Sequence, residues 1–109
     1  MGAPNIVRGG SHSGNIAARD LARRGVLDVL SSDYVPLSLL HAPFVLSDEV
    51  EEISLPAALA MVTATPARTV GLDDRGRIAE GLRADLVRVH RHAGVPVTRS
   101  TWREGRRVA

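Results

Sequence analysis

The spacing of hydrophobic residues changes near residue 71. Before that point, apolar side chains recur at helical spacing in residues 15–24, in residues 36–46 and after Ser54. We predict three helices there, with Ser54 as the N-cap of the third. The residues that form the apolar stripe after this cap are Leu55, Ala58, Leu59 and Val62. An acidic connection, residues 47–52, is predicted between the second and third helices.

Residues 26–30 form a short apolar run that contains two valines and is followed by polar residues. Their length and branched side chains predict a buried strand. A helix followed by a buried strand is typical of one half of a parallel αβ unit. Residues 1–14 are predicted to be the end of another strand that continues into a loop rich in glycine and serine.

The C-terminal part of the chain has the pattern of an antiparallel sheet. Thr65 and Pro66 are predicted to begin a last helical turn, with Pro66 at its first position and Gly71 at its end. Further glycines then separate short segments, and strands are predicted at 86–89, 95–102 and 106–108, with a turn at Glu104-Gly105. Such a sheet needs partners for its edges and faces. We therefore expect that part of the protein lies upstream.

Composition excludes several classes of function. All 14 basic residues are Arg, they are dispersed among 12 acidic residues, and the net charge is only +2. Because nucleic-acid binding requires clustered positive charge, we predict no nucleic-acid partner. No apolar run approaches the roughly 20 residues of a membrane span, so we predict no membrane association. The absence of cysteine excludes thiolate metal sites, and no signal peptide is recognisable, so we expect a cytoplasmic protein.

The first candidate for chemistry is the segment Arg8-Gly9-Gly10-Ser11-His12-Ser13-Gly14-Asn15, which directly precedes a predicted helix. Its glycines allow backbone N–H groups to turn toward an anion, and a helix N-terminus favours negative charge. Arg8, Ser11, His12 and Ser13 add donors for phosphate oxygens. The alternative is an ordinary glycine-rich loop in which Ser13 or Asn15 caps the helix.

The second candidate is Asp33, at the C-terminal end of the predicted buried strand. A carboxylate there can bind a divalent metal ion or accept a proton from an attacking water, or it can simply cap the next turn. His90 and His92 resemble a metal-binding pair, but no further ligand lies nearby in the sequence, and an exposed strand explains them better. His41 is assigned no role.

Two blocks, GAPNIVRGGSHSGN at 2–15 and LDVLSSDY at 27–34, resemble the amidohydrolase superfamily, in the branch that acts in phosphonate metabolism. The segment DRGRIAEGLRADLV at 74–87 is similar to a pattern shared across that superfamily. The resemblance implies an α/β fold: the last strands and helices of a (β/α)₈ TIM barrel in residues 1–71, followed by strands of a small β-sandwich in residues 72–109. It also implies hydrolysis of a phosphorylated ribose with release of diphosphate.

The same resemblance assigns roles to individual residues. Asp33 matches the aspartate after the eighth barrel strand, which binds metal or acts as general base. The residues that match the end of strand seven, where contacts to substrate are expected, are Arg8, Ser11, His12, Ser13 and Asn15. The superfamily's remaining ligands, including a lysine, would lie upstream. We therefore expect that the complete enzyme uses a divalent metal such as zinc, and that this chain alone neither holds it nor turns over substrate.

Two hypotheses remain open. In the first, the chain is the C-terminal portion of such a hydrolase, and an upstream segment or a partner chain supplies the missing part of the barrel. In the second, it is a non-catalytic remnant or a binding module that holds phosphorylated ligands or pairs its strands with another chain. Sequence alone does not separate them.

Overall fold

Several helices precede a three-stranded antiparallel sheet in the computed structural model, which describes residues 2–7, 21, 24, 27–32 and 35–109. The helices are α1 (Ala3–Val7), α2 (Ser38–Glu49), α3 (Leu55–Ala60) and α4 (Ala64–Thr69). The strands are β1 (Leu86–His92), β2 (Val95–Arg103) and β3 (Arg106–Arg107). The change from helix to strand falls after residue 71, as the sequence pattern predicts.

The opening segment differs from its prediction, because α1 begins where a strand end and loop were expected. In the described part of this segment, residues 2–7, extended pairing is limited to one parallel bridge between Gly2 and Ser31. There the Ala3 N–H donates to the Ser31 carbonyl over 2.7 Å. Pro4 is compatible with the first turn of a helix, where its missing N–H has no intrahelical acceptor to lose.

The predicted strand over residues 26–30 is also not regular in its described part. Leu27 and Leu30 are buried, as expected, but residues 27–30 join no ladder. Instead, the Leu30 N–H donates to the carbonyl of Met61, just after α3, over 3.1 Å. A strand forms a ladder only where a neighbouring extended segment accepts its N–H groups in register. On one side, this segment pairs with Gly2 through a single bridge at Ser31. On the other side, it bonds to Met61 at the end of helix α3.

Helix α2 begins and ends later than the sequence pattern predicts. It starts at Ser38, whose N–H and hydroxyl both donate to the Val35 carbonyl, over 3.0 and 2.5 Å. It continues to Glu49, so the predicted acidic connection is wrong for its first three residues. The Ser47 hydroxyl donates to the Phe44 carbonyl inside the helix. This bond gives the serine hydroxyl a backbone acceptor within the helix.

The two short helices that follow agree more closely with the prediction. Ser54 caps α3 as expected, since its side-chain oxygen accepts the Ala57 N–H over 3.3 Å. Helix α4 begins at Ala64, so Pro66 occupies its third position and not its first. Gly71 follows with a φ of +81°, the left-handed conformation expected beyond a helix end.

The sheet has strands in the three predicted regions and the predicted turn at Glu104-Gly105. Its strand order is β1-β2-β3, and the register of the first pair runs from Leu86 opposite Trp102 to His92 opposite Val95. The register shifts after Arg88, where Arg99 is the extra residue of a bulge. Both connecting turns place two successive residues at positive φ, which matches the twist of the strands. These residues are Ala93, Gly94, Glu104 and Gly105.

The hydrophobic core lies among the helices and the segment that precedes Asp33. Its buried members are Ala3, Ile6, Leu27, Leu30, Ala42, Leu46, Val50, Ile53, Ala58 and Met61. All of them precede residue 71, whereas the sheet is mostly exposed. In the described ranges, no helix is long and apolar enough to cross a membrane. The chain is a mixed helix–strand structure, and its assignment to a barrel end and sandwich strands, divided at residue 71, stays a prediction.

Candidate functional site

The two segments that lead to the candidate residues lie side by side. Helix α1 ends at Val7, immediately before Arg8, and the residues Ser31 and Ser32 immediately precede Asp33. The parallel bridge at Ser31 holds both segments in the same direction. In parallel arrangements, the residues that follow neighbouring segments emerge at the same edge, which is where ligands bind in α/β proteins. The bridge aligns Gly2 with Ser31, and helix α1 stands between Gly2 and Arg8, so a shared site for both candidate motifs stays a prediction.

The candidate residues themselves lie outside the part of the chain that the structure describes. They are Arg8, Ser11, His12, Ser13, Asn15 and Asp33. Their roles therefore stay predictions, and the described geometry concerns the backbone that leads into and out of them.

Hydrogen bonds fix the chain on both sides of Asp33. The Val35 N–H donates to the Ser32 carbonyl over 2.9 Å. The Val35 carbonyl accepts two bonds from Ser38, one from its N–H and one from its hydroxyl. Because Ser38 is buried at the start of α2, this helix anchors the segment that follows the candidate carboxylate.

A groove of about 260 Å³ lies between α1 and the start of α2. Its lining residues are Pro4, Val7, Val35, Leu37, Ser38 and His41. In the sequence, Val7 directly precedes Arg8, and Val35 follows two residues after Asp33. Among the described lining residues, four are apolar, and Ser38 and His41 contribute polar groups.

His41, to which the sequence analysis assigned no role, lines this groove. It follows Ser38 by three positions on α2, so both side chains lie on one face of the helix. His41 is half-buried, and no hydrogen bond or ion pair of its side chain occurs within the described residues.

His90 and His92 have the exposed placement on a strand that the sequence predicts. Both imidazoles line a shallow cavity of about 430 Å³ together with Val97 and Arg99. The Arg99 guanidinium places positive charge in the same cavity, which disfavours a cation there. Among the described residues, no group of three or more His, Cys, Asp or Glu side chains is arranged to hold a metal ion.

One electrostatic network of the sheet region joins Asp85 to the turn at Glu104. Asp85 Oδ1 accepts the Glu104 N–H over 2.8 Å, and its Oδ2 lies 2.7 Å from Arg83 Nε. The Arg83 guanidinium also lies 3.0 Å from Glu104 Oε1. The bond from the Glu104 N–H, assisted by the Arg83 charge, lowers the pKa of Asp85. This carboxylate stabilises a β-turn and does not line either cavity.

The sequence profile of the amidohydrolase family matches residues 2–109. The chain belongs to the amidohydrolase family. Its match covers both candidate motifs, the helices and the sheet. No solved structure matches the chain significantly.

Three proteins that resemble this chain have names that indicate different activities. The chain is 56% identical over 109 residues, 99% of its length, to α-D-ribose 1-methylphosphonate 5-triphosphate diphosphatase of Escherichia coli strain K12. It is 40% identical over 87 residues, 59% of its length, to dihydroorotase of Methanopyrus kandleri. It is 48% identical over 54 residues, 50% of its length, to N-acyl-D-glutamate deacylase of Alcaligenes xylosoxydans xylosoxydans.

The chain spans only a fraction of these amidohydrolases. It covers 29% of the E. coli protein, 19% of the dihydroorotase and 11% of the deacylase. The names of the three proteins indicate different substrates, so membership of the family alone does not identify the substrate. The resemblance that the sequence motifs predict is confirmed at the level of the family.

Proposed function

We propose that the chain forms the C-terminal part of a metal-dependent hydrolase that releases diphosphate from α-D-ribose 1-methylphosphonate 5-triphosphate. The observation that carries this proposal is the 56% identity over 99% of the chain to the E. coli diphosphatase. The other two relatives match only 59% and 50% of the chain. A match that extends from the first motif to the last strand favours the substrate of the E. coli protein.

The proposal includes a fold. Residues 1–71 would contribute the last strands and helices of a (β/α)₈ barrel, and residues 72–109 would contribute strands of a β-sandwich. The parallel bridge between Gly2 and Ser31 supports the first part, because neighbouring barrel strands run parallel. The separate antiparallel sheet after residue 85 supports the second part.

The proposal also assigns roles to the two motifs. The loop residues Arg8, Ser11, His12, Ser13 and Asn15 would bind the phosphate oxygens of the substrate. Asp33 would accept a proton from the attacking water or bind the metal ion. The bridge that holds the two leading segments side by side supports a common site for these groups.

A divalent ion such as zinc would supply Lewis acidity to the attacking water in the complete enzyme. Asp33 provides one carboxylate, whereas catalytic zinc takes about three protein ligands. The described residues contain no cluster that provides the others. We therefore propose that the remaining ligands come from a part of the protein beyond this chain.

A chimera tests the proposed function. In it, this chain replaces the matching 29% of the E. coli diphosphatase. We expect the chimera to release diphosphate from the ribose triphosphate when a divalent metal is present. Asp33→Asn should then lower kcat by about 10²–10⁴-fold, the usual contribution of a positioned acid or base. Asp28→Asn is the matched control, since Asp28 is an exposed aspartate five residues upstream.

Two results would contradict the proposal. One is a folded chimera, verified by circular dichroism, that releases no diphosphate. The other is equal loss of kcat in the Asp33 and Asp28 variants, which would remove the special role of Asp33. Binding of ribose phosphates without turnover would favour the phosphate-binding module instead.

A further inference from the structure

The cavity on the β1–β2 hairpin brings three nitrogen-bearing side chains together. They are His90 and His92 from β1 and Arg99 from β2, and Val97 lies beside them in the lining. The two histidines are two positions apart on one strand, so their imidazoles project from the same face. Val97 lies directly opposite His90 in the register, and Arg99 follows Val97 by two positions. These four side chains therefore form one continuous patch across the two strands, which we call the hairpin patch.

The positive charge of the hairpin patch is not neutralised within the described part of the chain. The Arg99 guanidinium forms no ion pair with a described residue. By contrast, Arg75, Arg83 and Arg91 each pair with a carboxylate. The described residues that line the cavity include no Asp or Glu. An anion in the cavity would therefore meet attractive charge without displacing a carboxylate of the described residues.

The donor groups of the hairpin patch match the oxygens of a phosphate group. A guanidinium is a planar fork of N–H donors that binds phosphate through two parallel hydrogen bonds. An imidazole supplies at least one N–H donor in either protonation state. A tetrahedral phosphate presents oxygens in several directions and can accept from all three side chains, whereas a carboxylate has only two oxygens in one plane. The cavity volume of about 430 Å³ exceeds the roughly 150 Å³ that five heavy atoms occupy at water's share of about 30 Å³ each.

From these observations we propose that the hairpin patch binds the phosphate group of a small molecule. The Arg99 guanidinium donates to two phosphate oxygens, and the imidazoles of His90 and His92 donate to the others. Val97 covers one side of these hydrogen bonds with an apolar surface. The residues that carry this inference all lie in the described ranges, and the inference does not depend on the proposed function.

Titration of the 109-residue chain with inorganic phosphate at constant ionic strength tests the inference. Histidine-selective ¹³C labelling reports on each imidazole, and His90→Gln and His92→Gln assign the two signals. We expect phosphate to shift both signals along one saturable curve. Arg99→Ala should raise the Kd for phosphate by about 10-fold or more, the usual loss for a hydrogen bond to a charged group. Arg77→Ala is the matched control, because it removes the same charge at an exposed arginine outside the hairpin patch and should leave the Kd unchanged.

Two further ligands define the chemistry that the hairpin patch recognises. Ribose 5-phosphate should shift the same two signals as inorganic phosphate, because the phosphate group carries the recognition. Acetate at the same ionic strength should bind at least about 10-fold more weakly, since it offers fewer charge-assisted hydrogen bonds. Equal binding of acetate would overturn the assignment to phosphate.

A second arginine variant protects the test against loss of folding. Arg99→Lys keeps the charge but removes the planar fork, so its Kd should lie between those of the unmodified chain and Arg99→Ala. Circular dichroism verifies that each variant folds. If Arg99→Ala does not fold, an unchanged Kd in Arg99→Lys contradicts the two-oxygen contact.

Three outcomes would overturn the inference. Equal increases of the Kd in Arg99→Ala and Arg77→Ala would assign the shifts to general attraction between charges. Zn²⁺ that shifts the His90 and His92 signals, when phosphate does not, would identify a metal-binding pair instead. A phosphate-dependent shift confined to the His12 signal would place the anion at the first motif, which would support the proposed function and contradict this inference.

Discussion

The Arg91 guanidinium lies over the Phe44 ring, with its Cζ atom 5.2 Å from the ring centroid. The same guanidinium forms an ion pair with Asp48, one helical turn further along α2. Arg91 belongs to β1, so one side chain joins the sheet to the helix whose first turn anchors the segment after Asp33. The contact connects two regions that the sequence shows only as separate patterns.

Replacing Arg91 should loosen this connection. We expect Arg91→Ala to lower the free energy of unfolding by about 1 kcal/mol, since the ion pair is partly exposed and a cation–π contact at the surface contributes modestly. Urea unfolding followed by fluorescence of Trp102, the single tryptophan, measures the change. Arg88→Ala is the control, because Arg88 is exposed and lies on the opposite face of β1. Equal effects of the two substitutions would contradict a specific role for the Arg91 contact.

Gly76 is a position where only glycine fits. Its φ is +96°, and a Cβ there would lie 2.9 Å from Ala64 Cα and 3.0 Å from the Thr63 carbonyl oxygen. We expect Gly76→Ala to destabilise the protein by about 2–4 kcal/mol, because backbone strain and a clash with backbone atoms add together.

Gly81→Ala is the matched control for this prediction. Gly81 has a φ of +80°, but a Cβ there would meet no atom within 4 Å. Its substitution should cost only the strain of about 1–2 kcal/mol. Thermal and urea unfolding of both variants measure the difference. A Gly76 variant as stable as the Gly81 variant would show that α4 moves aside without cost.

Asp85 should make stability depend on pH in the acid range. Its pKa is lowered below the ordinary value of 3.8, first by the hydrogen bond from the Glu104 N–H and then by the charge of Arg83. A carboxylate with a depressed pKa in the folded state stabilises it above the unfolded pKa, and this stability is lost as pH falls through the folded pKa. Asp85→Asn should therefore lower stability at pH 7 and reduce the loss between about pH 5 and pH 2.

Urea midpoints at several pH values measure this effect of Asp85. Asp73→Asn is the control, since Asp73 is an exposed aspartate without a hydrogen bond or ion pair among the described residues. Parallel midpoint curves for the Asp85 variant and the unmodified chain would contradict the prediction.

Arg8 should contribute to substrate binding if the proposed function is correct. We expect Arg8→Ala in the chimera to lower kcat/KM for the ribose triphosphate by about 10–100-fold, because a charge-assisted bond to phosphate is lost. Arg77→Ala is the control at an exposed arginine. Initial rates of diphosphate release measure both variants. A similar change in the two variants would assign the effect to overall charge and not to the loop.

The 109-residue chain alone should not turn over the substrate. A catalytic metal ion needs several ligands, and the described residues contain no group of three that holds one. Incubation of the purified chain with substrate and zinc or manganese, with diphosphate measured by ³¹P NMR, tests this. Metal-dependent release of diphosphate by the chain alone would show that its own residues complete a site.

The sequence by itself determined those features that depend on local interactions. The Ser54 cap, the helix after it and the turn at Glu104-Gly105 follow from short-range hydrogen bonds and backbone preferences, and the structure contains them. The family was also readable from two motifs. The strand predicted at residues 26–30 was not correct, because a strand depends on a neighbour that a local pattern does not specify.

Tertiary structure alone decided which distant residues meet. The bridge between Gly2 and Ser31 joins segments 29 positions apart, and no periodicity in the sequence encodes that pairing. The groove that contains His41 arises only when α1 packs against α2, so a histidine that the sequence left without a role comes to line a groove. Local preferences fix helices and turns, whereas burial of the shared apolar core selects which of them pack together.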